Sequence, residues 1–342
     1  MSGNRIIIKN SFISRCLLAF LPVAPLVIVT VFPGVPAYAL PAATVAAMGR
    51  AVAANVKQTE FASPQEAFAV LVNAAASNDT VRLLAVFGPD GKDIISSGDP
   101  IADTNARARF SRSAKRGVTF RPLNKNAYLA LVGKDGWTFP IPIIKKGKLW
   151  LFDTDEGKQE ILDRRIGRNE LNTIRASLAY VAAQREYAQN ALSKGGHLQY
   201  AQSFVSQRDD GDGLYWPGKV NSPLGPLFAR AACRRNAAGK EIGKQTPYYG
   251  YYYNILKEQG KYAPGGEMDY VVGGRMSRGF GLVAYPAKYG VSGVMTFIVN
   301  QKGMLYEKDL GPHTEELAAR MASYNPDKTW KKVDLEQASL SR

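Results

Sequence analysis

Apolar residues spaced three and four apart predict two helices that each bury one face. The first follows Ser63-Pro64-Gln65-Glu66, a serine, a proline and a glutamate in an order that is typical of a helix start, and it runs to about Ala76. The second runs for about twenty residues from Gly167 to near Asn190. Its predicted buried positions are Leu171, Ile174, Leu178 and Val181.

Strand-like segments follow each helical region. In the first region they are 128–132, 137–144 and 149–153, and in the second they are 248–256, 268–272, 280–285, 294–300 and 304–306. Pro140 and Pro142 lack N–H groups on the same side, so their strand lies at an edge or meets its neighbour at a bulge. Asn300-Gln301-Lys302-Gly303 joins the last two segments as a hairpin.

These patterns predict an α+β protein with two domains, each with helices packed on an antiparallel sheet, after an N-terminal signal segment. We expect the first domain at residues 61–162 and the second at 163–330. Residues 331–342 form a C-terminal tail. Residues 40–60 are rich in alanine and predict a flexible leader.

The N-terminus has the pattern of a secretory signal. Arg5, Lys9 and Arg15 precede an uncharged apolar run over 17–35, and Ala37-Tyr38-Ala39 follows as a cleavage site. We therefore predict a signal peptide over residues 1–39 and export to the periplasm. The alternative is that residues 17–35 are retained as an anchor in the inner membrane, which the three prolines of this run weaken.

The formal charge favours anionic neighbours. The 342 residues contain 44 Lys and Arg against 29 Asp and Glu, a net charge of +15. Cleavage removes three basic and no acidic residues, which leaves +12. We expect the partner to be an envelope protein or an anionic envelope component, and export argues against nucleic acid. Contact with the membrane is expected only through an uncleaved signal segment, and the oligomeric state stays open.

The composition argues against several classes of enzyme. Two histidines and two cysteines leave little for metal clusters or thiol nucleophiles. Nucleophile-elbow, zinc-helix, phosphate-loop and dinucleotide signatures do not occur. We therefore predict no catalytic residue and no cofactor. Asp209, Asp210 and Asp212 are similar to part of a calcium loop but lack its distal glutamate, so a metal site there competes with a simple turn.

Two groups of residues are candidates for binding. Arg164, Arg165 and Arg168 form a basic cluster that either pairs with Asp153 and Asp155 or binds an anionic ligand. The aromatic group is the run Tyr248, Tyr249, Tyr251, Tyr252 and Tyr253 with Trp216 nearby in sequence, and its leading candidates are Trp216, Tyr251 and Tyr252. Aromatic rings stack on sugars or on a partner, but they also pack well within a sheet, and both interpretations remain open.

Ordered phrases along the chain resemble one bacterial family. Among them are Arg164-Arg165-Ile166-Gly167-Arg168-Asn169-Glu170-Leu171, Tyr249-Gly250-Tyr251-Tyr252 and Gly290-Val291-Ser292-Gly293-Val294-Met295-Thr296-Phe297. Together they closely resemble the bacterial domain-of-unknown-function family number 2950 over about residues 61–330. The resemblance implies an exported bacterial protein with no established activity.

Two broader resemblances concern shape. The first domain looks like the nuclear-transport-factor-2-like cone, in which helices close over a curved sheet. The second resembles the soluble part of type IV pilins and pseudopilins, where a long helix packs on a small sheet. Pilins need a short leader followed directly by an apolar helix whose fifth residue is Glu. The export signal here lies about 130 residues upstream of the helix, so the resemblance does not extend to filament assembly.

The sequence thus favours a non-catalytic binding or assembly module of the bacterial envelope over an enzyme. One alternative is a hydrolase that acts on an envelope polymer with carboxylates from Asp209 to Asp212. The other is a structural subunit that associates with copies of itself.

Overall fold

The computed structural model describes residues 57–97, 100–193, 196–206, 212–217, 221–231 and 246–336. They form an α+β protein, which confirms the predicted class. Their contacts divide them into two compact units, with the boundary between Ile161 and Leu162. The predicted signal segment, residues 40–56 of the predicted leader and residues 337–342 of the predicted tail lie outside the described residues.

The helices at the start of the first unit begin with side-chain caps where the sequence provides them. The described helices are α1 (Pro64–Ala76), α2 (Thr80–Phe87), α3 (Lys92–Ile95) and α4 (Pro100–Ala114). At α1 the Ser63 hydroxyl accepts the N–H of Glu66 at 3.1 Å, as predicted. The Glu66 carboxylate accepts the N–H of Ala62 rather than that of the capping serine, at 2.8 Å. The first bond satisfies a donor that the helix start leaves free, and the second ties the preceding residue to the first helical turn.

The sheet of the first unit is antiparallel and is interrupted at its two prolines. Its strands are β1 (Val118–Asn124), β2 (Ala127–Val132), β3 (Trp137–Thr138), β4 (Ile143–Lys146) and β5 (Leu149–Phe152). The order is β1-β2-β4-β5, and β3 also pairs with β2. Leu131 pairs with Thr138 but Tyr128 pairs with Ile143, so the register shifts by two residues across Pro140 and Pro142. The predicted strand 137–144 is therefore two strands separated by a bulge.

Helix α1 packs on this sheet through aromatic side chains. Phe68 makes edge-to-face contacts with Phe110, Phe120 and Phe139, with ring centroids 5.4–5.9 Å apart. The Gln58 amide donates to the carbonyl of Val86 at 3.1 Å and to that of Phe152 at 2.8 Å. The last residues of the predicted leader, Gln58 and Thr59, are thus bonded to the first unit.

One helix, α5 (Thr154–Ser193), is 40 residues long, and the boundary between the units falls within it. The prediction that a helix starts at Gly167 is therefore wrong. Asp153 accepts the N–H of Glu156 at 3.3 Å at the helix start, and Asp155 and Glu156 are favourable near its positive end. The early turns of α5 have no apolar stripe, which is why the sequence pattern missed them.

The second unit contains a five-stranded antiparallel sheet with smaller sheets beside it. After α6 (Pro226–Arg230) its described elements are β6 (Tyr251–Leu256), β7 (Glu258–Gln259), β8 (Met268–Asp269), β9 (Val271–Val272), β10 (Arg275–Met276), β11 (Gly281–Pro286), β12 (Met295–Asn300), β13 (Leu305–Asp309), α7 (Thr314–Ala319), β14 (Ser323–Tyr324) and β15 (Lys331–Lys332). The main sheet has the order β15-β13-β12-β11-β6, and β14-β7-β8 form a second one. The predicted hairpin at Asn300 is confirmed, with the N–H of Gly303 donated to the Asn300 carbonyl at 2.8 Å. Because β15 pairs with β13, the sheet continues into the predicted tail.

Both faces of the main sheet are buried. Leu282 and Ala284 pack with Tyr180 of α5, whereas the alternate residues Val283 and Tyr285 pack with Ala318 of α7. A strand presents alternate side chains to opposite faces, so β11 is apolar throughout. Among the described residues, no helix combines the length and apolarity that a membrane crossing requires.

Candidate functional site

Two polar side chains of α5 hold the loop that precedes β12. A carboxylate oxygen of Glu170 accepts the N–H of Val294 at 2.9 Å and that of Met295 at 3.0 Å. The Asn169 amide donates to the Ser292 carbonyl at 2.8 Å. All three bonds join a side chain to backbone more than 120 residues away in sequence. They fix the position of the loop relative to the helix, whatever side chains the loop carries.

A tight tyrosine-rich turn leads into β6 beside this loop. Tyr248 and Tyr251 exchange backbone hydrogen bonds at 3.0 and 3.1 Å, and the two residues between them have positive φ, +52° at Tyr249 and +76° at Gly250. Positive φ at both central positions is typical of a type I′ turn, which prefers Asn-Gly. Tyrosine at the first of these positions is unusual, because its Cβ strains the left-handed conformation.

The turn, the loop and the helix meet at Gly250. A Cβ atom on this glycine would lie 2.7 Å from the Asn169 amide nitrogen and 3.0 Å from the Cβ of Ser292. The Gly250 carbonyl accepts the N–H of Ala287 at 2.9 Å. The three phrases of the sequence that contain Asn169, Gly250 and Ser292 therefore come together in one place.

Beneath the turn, Tyr251 and Tyr253 are fully buried. The Tyr251 hydroxyl donates to the Met295 carbonyl at 2.9 Å, and that of Tyr253 donates to the Tyr248 carbonyl at 3.2 Å. Burial raises the pKa of both tyrosines, and the nearby Glu170 carboxylate raises that of Tyr251 further. Burial also raises the pKa of Tyr248 to about 12, with a contribution from its hydrogen bond to Tyr249. These hydroxyls are therefore structural donors at neutral pH.

The turn also carries a partly exposed aromatic ring, and basic residues are exposed on the helix and the loop that meet at Gly250. The Tyr249 side chain is 41% exposed, and its ring lies against that of Tyr248 with centroids 4.1 Å apart. Arg165 is one helical turn from Asn169 on the same face, and Arg168 precedes Asn169. Both arginines are exposed, as is Lys288 beside Gly250. We name this surface, made of Arg165, Arg168, Tyr249 and Lys288, the tyrosine-turn face.

The structure separates the binding residues that the sequence predicts. Arg165 and Arg168 belong to the tyrosine-turn face, and Arg164 is half-buried one turn before Arg168. Tyr251 cannot contact a partner because its side chain has no exposed surface. Tyr252 is half-buried on the opposite face of the sheet, where its ring centroid lies 5.9 Å from that of Tyr285.

The aromatic candidate Trp216 is half-buried in a loop of its own. Its indole N–H is donated to the Gly213 carbonyl at 2.7 Å, and its backbone N–H is donated to the Ser222 hydroxyl at 2.8 Å. Both N–H groups of Trp216 are therefore bonded within its own loop.

The acidic candidates do not assemble into a metal site within the described part of the chain. Asp209 and Asp210 lie outside the described residues, and Asp212 accepts the Ser206 hydroxyl at 2.8 Å. No group of three or more His, Cys, Asp or Glu side chains among the described residues could hold a metal ion.

A polar groove of about 270 Å³ lies between β7, β8 and β14. It is lined by Glu258, Gln259, Gly260, Lys261, Glu267, Asp269, Ser323 and Asn325. Glu267 and Asp269 are exposed to solvent. Both carboxylates therefore face water at the rim of the groove.

The sequence interpretation missed the roles of Asn169 and Glu170 and the positive φ of Tyr249. Asn169 and Glu170 come directly before the first predicted buried position of α5, Leu171. Polar side chains this close to a buried surface need hydrogen-bond partners, and backbone groups can provide them. Tyr249-Gly250 occupies the place of the usual Asn-Gly of a hairpin. Neither signal identifies its partner in the fold.

Comparison with known proteins gives a family and no activity. The family model described as "Protein of unknown function (DUF2950)" matches residues 58–333. No curated protein and no solved structure matches the chain. The cone-like and pilin-like shapes of the two domains therefore stay predictions.

Proposed function

We propose that this chain, which belongs to the DUF2950 family of proteins of unknown function, is an exported, non-catalytic binding protein of the bacterial envelope. Its ligand is an acidic envelope polymer, and the tyrosine-turn face is the binding surface. The signal pattern over residues 1–39 supports export, and the charge of +12 on the rest of the chain supports an anionic ligand.

The conformation of Tyr249 carries this proposal. Its φ of +52° costs free energy that asparagine would avoid, yet Tyr249 is 41% exposed and is not among the buried core residues. Strain retained at an exposed aromatic side chain indicates that the ring serves binding rather than the stability of the fold. Stacking on a sugar ring is one use that suits a flat, exposed tyrosine.

The charges around the ring determine the class of polymer. Arg165 and Arg168 offer guanidinium groups that bind carboxylate or phosphate in a bidentate manner, and Lys288 offers a single ammonium group. The Asn169 and Glu170 bonds hold the loop that carries Lys288 against the helix that carries the arginines. The face is thus ordered before a ligand arrives, which lowers the entropy cost of binding.

Tyr249→Asn tests the proposal by separating binding from folding. We expect an unchanged free energy of unfolding, within about 1 kcal/mol, because Asn-Gly relieves the turn strain while the Tyr248 ring contact is lost. We expect roughly a ten-fold weaker affinity for polygalacturonate, an acidic glycan, because a stacking surface is removed. Isothermal titration of residues 40–342, with neutral dextran as a reference, measures the affinity, and chemical unfolding measures the stability.

The matched control is Tyr262→Asn. Tyr262 is 54% exposed and Lys261 lies 5.0 Å from its ring centroid, so it is another exposed tyrosine beside a cation. This variant should bind polygalacturonate as the unmodified chain does. Equal affinities for Tyr249→Asn and the unmodified chain would contradict the proposal, and a large loss of stability would show that the strained tyrosine serves the fold instead.

A further inference from the structure

Two hairpin turns of the first unit lie side by side at one end of its sheet. The N–H of Lys145 is donated to the Asn126 carbonyl at 2.8 Å, and Ala127 pairs with Ile144. The β1–β2 turn is therefore next to the β4–β5 turn. Four exposed lysines lie at this end of the sheet, which we name the lysine tip: Lys125, Lys145, Lys146 and Lys148.

The charge around the lysine tip is strongly one-sided. Residues 121–152 contain six basic residues and a single acidic one, Asp135. Asp135 follows β2 at the opposite end of the sheet, and a six-residue strand spans roughly 17 Å. Glu60 and Glu66 lie on or beside the segment that pairs with β5, and Glu66 accepts the Ala62 N–H. When both glutamates are counted against the four lysines, the net charge of the lysine tip is still positive.

Apolar side chains accompany the lysines. Leu149 directly follows Lys148, is 39% exposed and pairs with Lys146 across the hairpin. The next residue, Trp150, is half-buried, and the ammonium group of Lys145 lies 5.7 Å from its ring centroid. An exposed leucine between lysines, with a tryptophan behind it, is a combination that suits the boundary between lipid headgroups and acyl chains.

We propose that the lysine tip docks the protein on the surface of an anionic lipid membrane. The ammonium groups contact lipid phosphates while Leu149 enters the headgroup region. A soluble polyanion would use the lysines and gain nothing from the leucine, which is why we assign the tip to lipid. This surface differs in residues and ligand from the tyrosine-turn face, and it provides membrane contact without residues 17–35.

The test uses residues 40–342, so that the apolar run of the predicted signal cannot bind lipid. Sedimentation with vesicles of phosphatidylcholine, alone or with one-third phosphatidylglycerol, measures partitioning at low ionic strength. We expect binding to the anionic vesicles. The double variant Lys146→Gln, Lys148→Gln should bind roughly 25-fold more weakly, because each lysine near an anionic surface contributes about a five-fold factor. Leu149→Ser should lower partitioning roughly five-fold.

The matched control removes the same charge from the other end of the sheet. Lys115 and Lys134 are exposed there, where the N–H of Gly133 is donated to the Gly117 carbonyl. Lys115→Gln, Lys134→Gln should bind the anionic vesicles as the unmodified chain does. An equal loss in both double variants would overturn the proposal, because net charge alone would then explain binding. The assignment to lipid would be overturned if Leu149→Ser bound the anionic vesicles as the unmodified chain does and polygalacturonate displaced the protein from them.

Discussion

Gln184→Leu is expected to lower the free energy of unfolding by about 3 to 5 kcal/mol. Gln184 is fully buried in α5, and its amide group makes three hydrogen bonds. It donates to the Tyr180 hydroxyl at 2.9 Å and to the Ala201 carbonyl at 2.8 Å, and it accepts the N–H of Ala201 at 2.8 Å. Leucine fills the space but leaves the Ala201 N–H and carbonyl buried without these partners, and each such group costs about 1 to 3 kcal/mol.

Gln189 provides a matched control for this substitution. It lies five residues further along the same helix and is exposed, so Gln189→Leu should change the free energy of unfolding by less than about 0.5 kcal/mol. Chemical unfolding followed by circular dichroism gives both values. Equal effects of the two substitutions would mean that the Ala201 segment finds other partners, and the bonds described above would then not determine stability.

Two glycines of α5 are expected to respond to alanine with opposite signs. A Cβ on Gly157 would lie 2.5 Å from Cγ1 of Ile141, a buried residue held between Pro140 and Pro142. Gly157→Ala should therefore cost about 1 to 3 kcal/mol of stability through overpacking. A Cβ on Gly167 would meet no atom within 4 Å, so Gly167→Ala should add about 0.5 to 1 kcal/mol by favouring the helix.

The cause of the Gly157 effect is tested by a second substitution. Ile141→Ala removes both Cγ atoms that the new Cβ would meet, at its own cost of about 2 to 5 kcal/mol. The Cβ of residue 141, 2.9 Å from the new Cβ, remains in this variant. Adding Gly157→Ala should therefore cost less than it does in the unmodified chain, and the double-mutant cycle should give a favourable coupling energy. Additive losses would contradict the steric explanation. A lower free energy of unfolding for Gly167→Ala would contradict the prediction that the new methyl group meets no other atom.

The tyrosine-rich phrase shows where prediction of the site succeeds and fails. Its sequence indicates a strand with aromatic residues and leaves packing and binding as alternatives. The structure assigns Tyr251 to the core and exposes Tyr249, although they are only two residues apart. Tyr249 lies in the turn before β6, where the chain has positive φ, so the strand alternation that would give Tyr249 and Tyr251 the same environment does not apply.

The basic cluster gives a similar lesson. Its three arginines are visible in the sequence, but helical geometry divides them. Arg165 lies nearest to the face of Asn169 with Arg168 next to it, and both are exposed, whereas Arg164 is turned furthest away and is half-buried. The Asn169 and Glu170 side chains join backbone more than 120 residues away, and such contacts depend on the whole path of the chain between them.

Features controlled by local chemistry can be predicted from the order of the residues. The cap at Ser63, the hairpin at Asn300 and the α+β class follow from hydrogen-bonding side chains, turn residues and the spacing of apolar positions. Only the tertiary structure decided the length of α5, the bulge at Pro140 and Pro142, and the meeting of helix, turn and loop at Gly250. These features depend on which distant groups become neighbours, and buried polar atoms must find partners wherever the complete fold places them.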